Sequence, residues 1–431
     1  MAYAVFNLRL ENTWNNQRNN DAIWLFFKLK TSKGLIKHIS IAPTGHQVVN
    51  VFSGEDPSLK FNTSADGVGV FIYPSIRYKG NIEVSLKVLL RPESFEGIET
   101  RNSSFDVFGI EMVKIPSGSY FVGLPNNLGR NRGVLYNPTE NQSLIEVDSD
   151  SQEFEISQSG DIYYMSTEGY EGDQKGQIPI TFPRGLQSFF IMKYELKEGQ
   201  YVKFLNNLSE SQVRKRIIHK EENYEGFIEL DKNKFTSRYP DRPCSFVGWD
   251  DAMAYADWAG LRPMTELEYT KAARGPSRPV GIDYPWGLSG KETVQRLPDA
   301  NGNMIMLNGL EESELSDDNK NHFGASYYWV MDLAGSLWER VITIGHENGR
   351  NFKGTHGDGV LTNEGEATNE DWPNGIENSG GIGFRGGGFY GYNREYHDFN
   401  PFSPVSFRPY GGWHGSMRTI SYGTRFVRTS N

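Results

Sequence analysis

A single cysteine, Cys244, stands among 431 residues. That scarcity excludes an intramolecular disulfide and any zinc site built on cysteines, and Cys244 reads as a small buried apolar residue. Long apolar runs are equally scarce. None approaches the roughly 20 residues that cross a bilayer, and Ile23-Trp24-Leu25-Phe26-Phe27 is only strand length. The opening residues carry neither a basic n-region nor an apolar h-region, so the expectation is synthesis in the cytoplasm without a signal peptide. Positive charge is in deficit, 44 Lys and Arg against 54 Asp and Glu, for a net charge of −10. Nucleic-acid surfaces depend on clustered Lys and Arg at the phosphates, so no nucleic-acid partner is expected, and no membrane insertion.

Aromatic residues, at 13%, and 47 glycines are abundant together, which suits a loop-rich, sheet-containing chain. The length calls for two domains. In residues 1–104, the segments Val5–Leu10, Ala22–Leu29, Gly69–Tyr73 and Ile82–Leu89 are strand-length, partly alternating, and separated by Asn, Gly, Asp and Pro. They predict a small antiparallel β-sandwich. His38 and His46 lack ligand partners nearby and read as structural. Arg91 to Asp106 reads as the linker. The polar stretch from Gly123 to Phe182 reads as a surface excursion with a hairpin around Phe154 to Tyr164.

The strongest local signal is Pro243 to Gly275, two short helices in series. Gly248 takes the first N-cap with Asp251 near the positive helix end, and Gly260 stops the helix. Thr265-Glu266-Leu267-Glu268 fits a capping box for the second, and Gly275 is placed to supply its left-handed terminus. A further helix is predicted from Lys197 to Asn207, where Lys197 lacks a capping oxygen.

The stretch Pro243 to Gly275 resembles the signature of the formylglycine-generating enzyme (FGE, sulfatase-modifying factor) family. Further similar blocks follow in order: Phe190 to Leu205, Tyr284-Pro285-Trp286-Gly287, Met331 to Glu339, Phe384 to Phe389, and Tyr422 to Phe426. The resemblance covers 105–431. It implies an α+β chain in which the β-sandwich precedes an FGE-like, C-type-lectin-related domain. Iron-dependent sulfoxide synthases pair such a domain with a helical one carrying H-x-x-x-H-x-E, and neither feature occurs here.

Oxygen-dependent FGE enzymes bind Cu(I) through two cysteines in the interval that corresponds to Gly388–Tyr422, and this interval contains none. Formylglycine generation is therefore not expected. No resident cofactor is expected either, with calcium as the one candidate. The family's calcium ligands correspond in part to Glu339 and Ser336, the latter replacing an Asn, and Ala300-Asn301 is followed by an expanded loop with Asp317 and Asp318. The alternative reading is an iron-dependent, non-heme oxidase using His397-Asp398, His414, His346 and Glu347. Aromatic and small polar residues dominate the interval itself. Tyr390, Tyr392, Asn393, Tyr396, His397, Phe402, Tyr410, Trp413 and His414 are the candidate ligand-binding residues, since such side chains suit recognition loops. The expectation is a noncatalytic binding or structural subunit, partnered by protein subunits of a larger assembly or by a surface ligand. By analogy of fold, the expected assembly is a phage-tail-like or contractile injection particle, with the chain released or displayed as part of it.

Overall fold

Alternating apolar residues in the first ninety positions build two facing sheets. Strands β1 (Ala2–Asn15), β4 (Gln47–Ser53) and β7 (Tyr78–Leu90) form one, in the order β1-β7-β4. Strands β2 (Asp21–Lys30), β3 (Ile36–Ile39), β5 (Leu59–Thr63) and β6 (Val70–Pro74) belong to the other. Along β7, Ile82, Val84, Leu86, Val88 and Leu90 are buried while their neighbours are not, the period-two pattern of a strand with one face in a core. They meet Ile23, Leu25, Phe27 and Leu29 of β2, which completes the expected sandwich. The computed structural model describes the whole chain except residues 1, 54–55, 141–143, 168–169, 218–227, 289–295, 300–303, 307, 374–379, 389–402 and 431.

Strand β2 has a second buried face. Ala22, Trp24 and Phe26 point away from the sandwich into a larger core that contains Tyr255, Trp258 and Phe426. The cause is β8 (Ser104–Ile115), which pairs with β2 from Asp21↔Val113 to Lys30↔Ser104 and leads on to the strands Phe189–Met192, Phe426–Thr429 and Arg262–Pro263. One eight-stranded sheet therefore runs through both halves of the chain. The boundary expected between 104 and 105 falls at the start of the strand that the halves share. Trp24 donates its indole N–H to the Ala259 carbonyl at 2.9 Å, and Phe26 meets Trp258 edge-on at 5.1 Å. The close approach needs glycine: a Cβ on Gly69 would come within 2.3 Å of the Trp24 ring.

The two signature helices span Trp249–Trp258 and Glu266–Arg274. At the first, the Gly248 N–H donates to Asp251 Oδ2 at 2.9 Å, and Gly260 takes φ +67° after the end. At the second, the capping box is complete: Glu268 N–H donates to Thr265 Oγ1 (3.1 Å) and Thr265 N–H to Glu268 Oε2 (3.0 Å). Gly275 has φ +76° with ψ −160°, so it leaves the helix outside the left-handed helical region. A Cβ there would also strike the Tyr327 ring at 2.4 Å. The Thr265 hydroxyl further donates to the Pro183 carbonyl at 2.8 Å. Thr265→Ala removes both contacts and is expected to cost about 1 to 2 kcal/mol, with Thr265→Ser recovering most of it. Urea midpoints check this, and equal midpoints for wild type and Thr265→Ala would contradict it.

Lys197 caps the helix Glu198–Asn206 without a side-chain acceptor, as expected. Its ammonium is not left at the positive helix end, however. It reaches Asp241 at 3.2 Å and lies 4.6 Å from the centre of the Tyr194 ring.

Candidate functional site

The described part of the C-terminal interval, 403–422, lies against a small sheet in which Trp338–Ile342 pairs with Ile382–Arg385 antiparallel and with Tyr422–Gly423 in parallel. What holds it is a pair of buried carboxylates, one in the first turn of each signature helix. Glu266 is fully buried and takes Arg408 through Nε (2.8 Å) and Nη2 (3.0 Å), Arg385 at 3.4 Å, the Thr343 hydroxyl at 2.9 Å and the Ile344 N–H at 2.9 Å. Burial pushes this carboxyl up, but Arg408 and Arg385 outweigh it and hold Glu266 below the usual carboxylate range. Asp251 takes both Nε and Nη2 of Arg418 at 2.7 Å and Arg216 at 3.1 Å. A carboxylate at a helix N-terminus is favoured by the dipole, and a bidentate guanidinium fixes direction as well as distance. Each helix therefore anchors one arginine of the interval.

Between those anchors Tyr410, Trp413 and His414 are half-buried. Tyr410 meets Trp338 edge-on at 5.2 Å and Trp413 at 6.2 Å. The Trp413 indole N–H is buried without a hydrogen-bond partner among the described residues. His414 Nδ1 lies 2.7 Å from Glu171 Oε2. These three candidates thus share one neighbourhood. Tyr390, Tyr392, Asn393, Tyr396, His397 and Phe402 lie outside the described residues, as does Asp398.

The stretch expected to be a surface excursion contributes to the same neighbourhood. Thr167 Oγ1 donates to the Pro409 carbonyl (2.6 Å), and Tyr164 and Tyr170 pack on the Arg408 guanidinium, 4.4 and 5.8 Å from the ring centres. Tyr164 is fully buried. Burial pushes the Tyr170 hydroxyl up to about 12. Glu171, Tyr164 and Tyr170 escaped the sequence reading because Asn, Ser, Glu and Gly surround them. The only local signal was the aromatic spacing Tyr163-Tyr164 and Tyr170.

Glu339 and Ser336 do not present free side-chain oxygens. Both carboxylate oxygens of Glu339 accept from Arg425 Nε at 2.8 Å, and the Ser336 hydroxyl donates to Glu195. Asp317 is taken through Oδ1 by Arg18 (2.7 Å) and the Trp329 indole (3.0 Å), and Ala300-Asn301 lies outside the described residues. Calcium needs about six to eight oxygens, and Glu339 and Ser336, held by Arg425 and Glu195, do not fit it. His346 Nδ1 accepts the Asn348 N–H at 3.1 Å as the cap of the short helix Glu347–Arg350. Among the described residues no group of three His, Cys, Asp or Glu side chains is arranged to hold a metal ion. Cys244 is buried, and burial pushes its thiol well above the usual range.

Taken together, the fold is α+β, with mostly antiparallel sheets and two capped helices whose first-turn carboxylates fasten a loop interval. The description "Sulfatase-modifying factor enzyme 1-like domain" matches residues 111–429, and the chain belongs to that family. It is 35% identical over 104 residues to the formylglycine-generating enzyme of Thermomonospora curvata, covering 23% of this chain and 33% of that protein. The uncharacterized protein YfmG of Bacillus subtilis matches at 24% over 333 residues, 68% of this chain and 63% of that one. The bovine inactive C-alpha-formylglycine-generating enzyme 2 is 35% identical over 98 residues, 22% of this chain and 31% of its own length. The chain spans about a third or less of the formylglycine-generating enzymes it matches.

Proposed function

We propose that this chain is a noncatalytic family member whose C-terminal interval is a recognition surface within a larger protein assembly. The observation that carries the reading is the pairing of two facts about that interval: it holds no cysteine, and its described aromatic residues stay half-exposed while buried ion pairs fix the backbone around them. A thiolate copper centre has no ligands here, and Cys244 lies elsewhere as a buried, protonated thiol. Rigid aromatic side chains on anchored loops give contact area at low entropic cost. The existence of inactive relatives is consistent with a family fold retained without its chemistry. A phage-tail-like particle is the assembly that this reading points to, through analogy of fold.

Two measurements test it. Aerobic incubation of purified chain with Cu(I) and a sulfatase-type peptide is expected to leave the peptide cysteine unchanged by mass spectrometry, and conversion to formylglycine overturns the reading. Trp413→Ala is expected to cost about 2 kcal/mol or more of assembly affinity with little change in melting temperature. Electron microscopy of native particles reads the first and scanning calorimetry the second. A collapsed melting temperature would assign Trp413 to the core and remove the recognition surface.

A further inference from the structure

The N-terminal sandwich is open along one side. Strand β1 is an edge: apart from the bridge Asn15↔Asn20 at its end it pairs only with β7 among the described residues, and it packs across onto β2 and β6. Strand β8 lies one position beyond β2, and because the next strand, Phe189–Met192, pairs with it only from Met112 to Ile115, the part of β8 from Phe105 to Ile110 is the outermost strand of the second sheet there among the described residues. The sandwich-facing side chains of β8 are Phe105 and Val107, followed by Gly109 and Glu111, because they pair across from Leu29, Phe27, Leu25 and Ile23 of the core face. Phe105 is 37% exposed and Val107 38%. On the β1 side, Phe6, Leu8 and Leu10 point inward yet stay only half-buried, and the fully buried Phe27 ring lies between Phe6 and Phe105, with ring centres 6.0 and 5.5 Å away. The trough runs on into a cleft of about 430 Å³ between Arg9–Thr13 of β1 and Asp21, Glu111, Tyr194 and Glu312.

We propose that this trough takes an extended segment of a partner protein, added as a fourth strand to the β1 edge. An unpaired edge offers a row of backbone donors and acceptors, and alternate apolar side chains of the incoming strand would cover Phe105 and Val107. A second folded copy does not fit. For two β1 edges to pair, each copy's β2 and outermost β8 would have to occupy the same space below them. The slot therefore admits a bare strand and not a sheet.

Charge defines one end of the segment. In the cleft, Glu11 is held by Arg9 (2.9 Å), Asp241 by Lys197 (3.2 Å) and Glu312 by Arg296 (3.6 Å). Asp21 and Glu111 share one buried ammonium, Lys193, with each carboxylate 3.9 Å from it and beyond hydrogen-bond reach. When both carboxylates are ionised, one ammonium leaves a negative charge over, and Glu111 is the half-exposed one. The segment that fits alternates apolar residues and ends in a Lys or Arg that reaches Glu111. Burial pushes the Asp21 carboxyl up to about 7, so an arriving cation also favours its ionised form.

The test uses the full chain and a fluorescein-labelled, end-capped peptide of alternating threonine and valine that finishes in lysine, read by fluorescence anisotropy. Saturable binding is expected, weakened about tenfold or more by Val107→Lys and by N-methylation of alternate peptide amides. Glu111→Lys is expected to weaken the lysine-ended peptide about tenfold and to restore binding of a glutamate-ended one. Absence of saturation up to about 1 mM peptide, or equal affinity for Val107→Lys with an unchanged circular-dichroism spectrum, overturns the proposal. So does a dimer in light scattering that Val107→Lys dissolves, since that would make a second copy the occupant.

Discussion

Glu266→Gln is expected to lower the unfolding free energy by about 3 to 5 kcal/mol, because it removes the charge that Arg408 and Arg385 surround and leaves buried guanidinium groups uncompensated. All three side chains are at most 2% exposed, so solvent does not soften the loss. Replacing Glu266 and Arg408 together by apolar residues should still cost less than the sum of the single changes, since the pair's desolvation is removed with the pair and only Arg385 is left without its carboxylate. Urea unfolding of the two single variants and the double variant measures this coupling. A change for Glu266→Gln within about 1 kcal/mol would show that the arginines find other partners and that the interval is not anchored there. The pH dependence has a definite sign. The folded-state value of Glu266 lies below the unfolded one of about 4.3, so its contribution is full above that pH and is lost as the pH falls through the folded value.

Local chemistry was legible in the sequence wherever the partners lie a few residues apart. Thr265 and Glu268 cap each other across three residues, and Gly260 and Gly275 mark the helix ends by the backbone freedom they supply. The same sequence presented Glu266 and Asp251 only as acidic residues at helix starts. Their arginines lie 142 and 167 positions away, and no short-range pattern encodes such a pairing. The hairpin expected around Phe154 to Tyr164 shows the same limit: the chain does turn back there, with the Ser157 N–H donating to the Ile162 carbonyl and the Ile162 N–H to the Glu155 carbonyl, but the strand ladder of Phe154–Ile156 is with Gly176–Ile178, beyond the window in which its alternation is visible. The shared sheet did leave a trace. Ile23-Trp24-Leu25-Phe26-Phe27 has no polar alternation, as a strand buried on both faces requires, whereas a sandwich strand with one solvated face would alternate.

Trp24→Ala is expected to destabilise both halves of the chain at once. The side chain is fully buried and packs at 4.6 Å on Phe71 of β6, at 4.7 Å under the Arg428 guanidinium, and against the backbone beyond the first signature helix through its bond to Ala259. Truncating an aromatic so enclosed costs about 3 to 5 kcal/mol, because the cavity cannot close between two elements fixed by their own sheets and helices. Since β2 and β8 pair over ten positions, the loss should not stay within the sandwich. The expected result is one cooperative unfolding transition, shifted as a whole, with hydrogen exchange measured by mass spectrometry rising together in β2, in β6 and in the helix Trp249–Trp258. If the transition instead divides in two and only residues 1–104 lose protection, the N-terminal sandwich is an independent folding unit that merely leans on the family domain. A single transition means that the sheet makes the two halves one folding unit, with a ligand bound at either end able to stabilise the other by mass action.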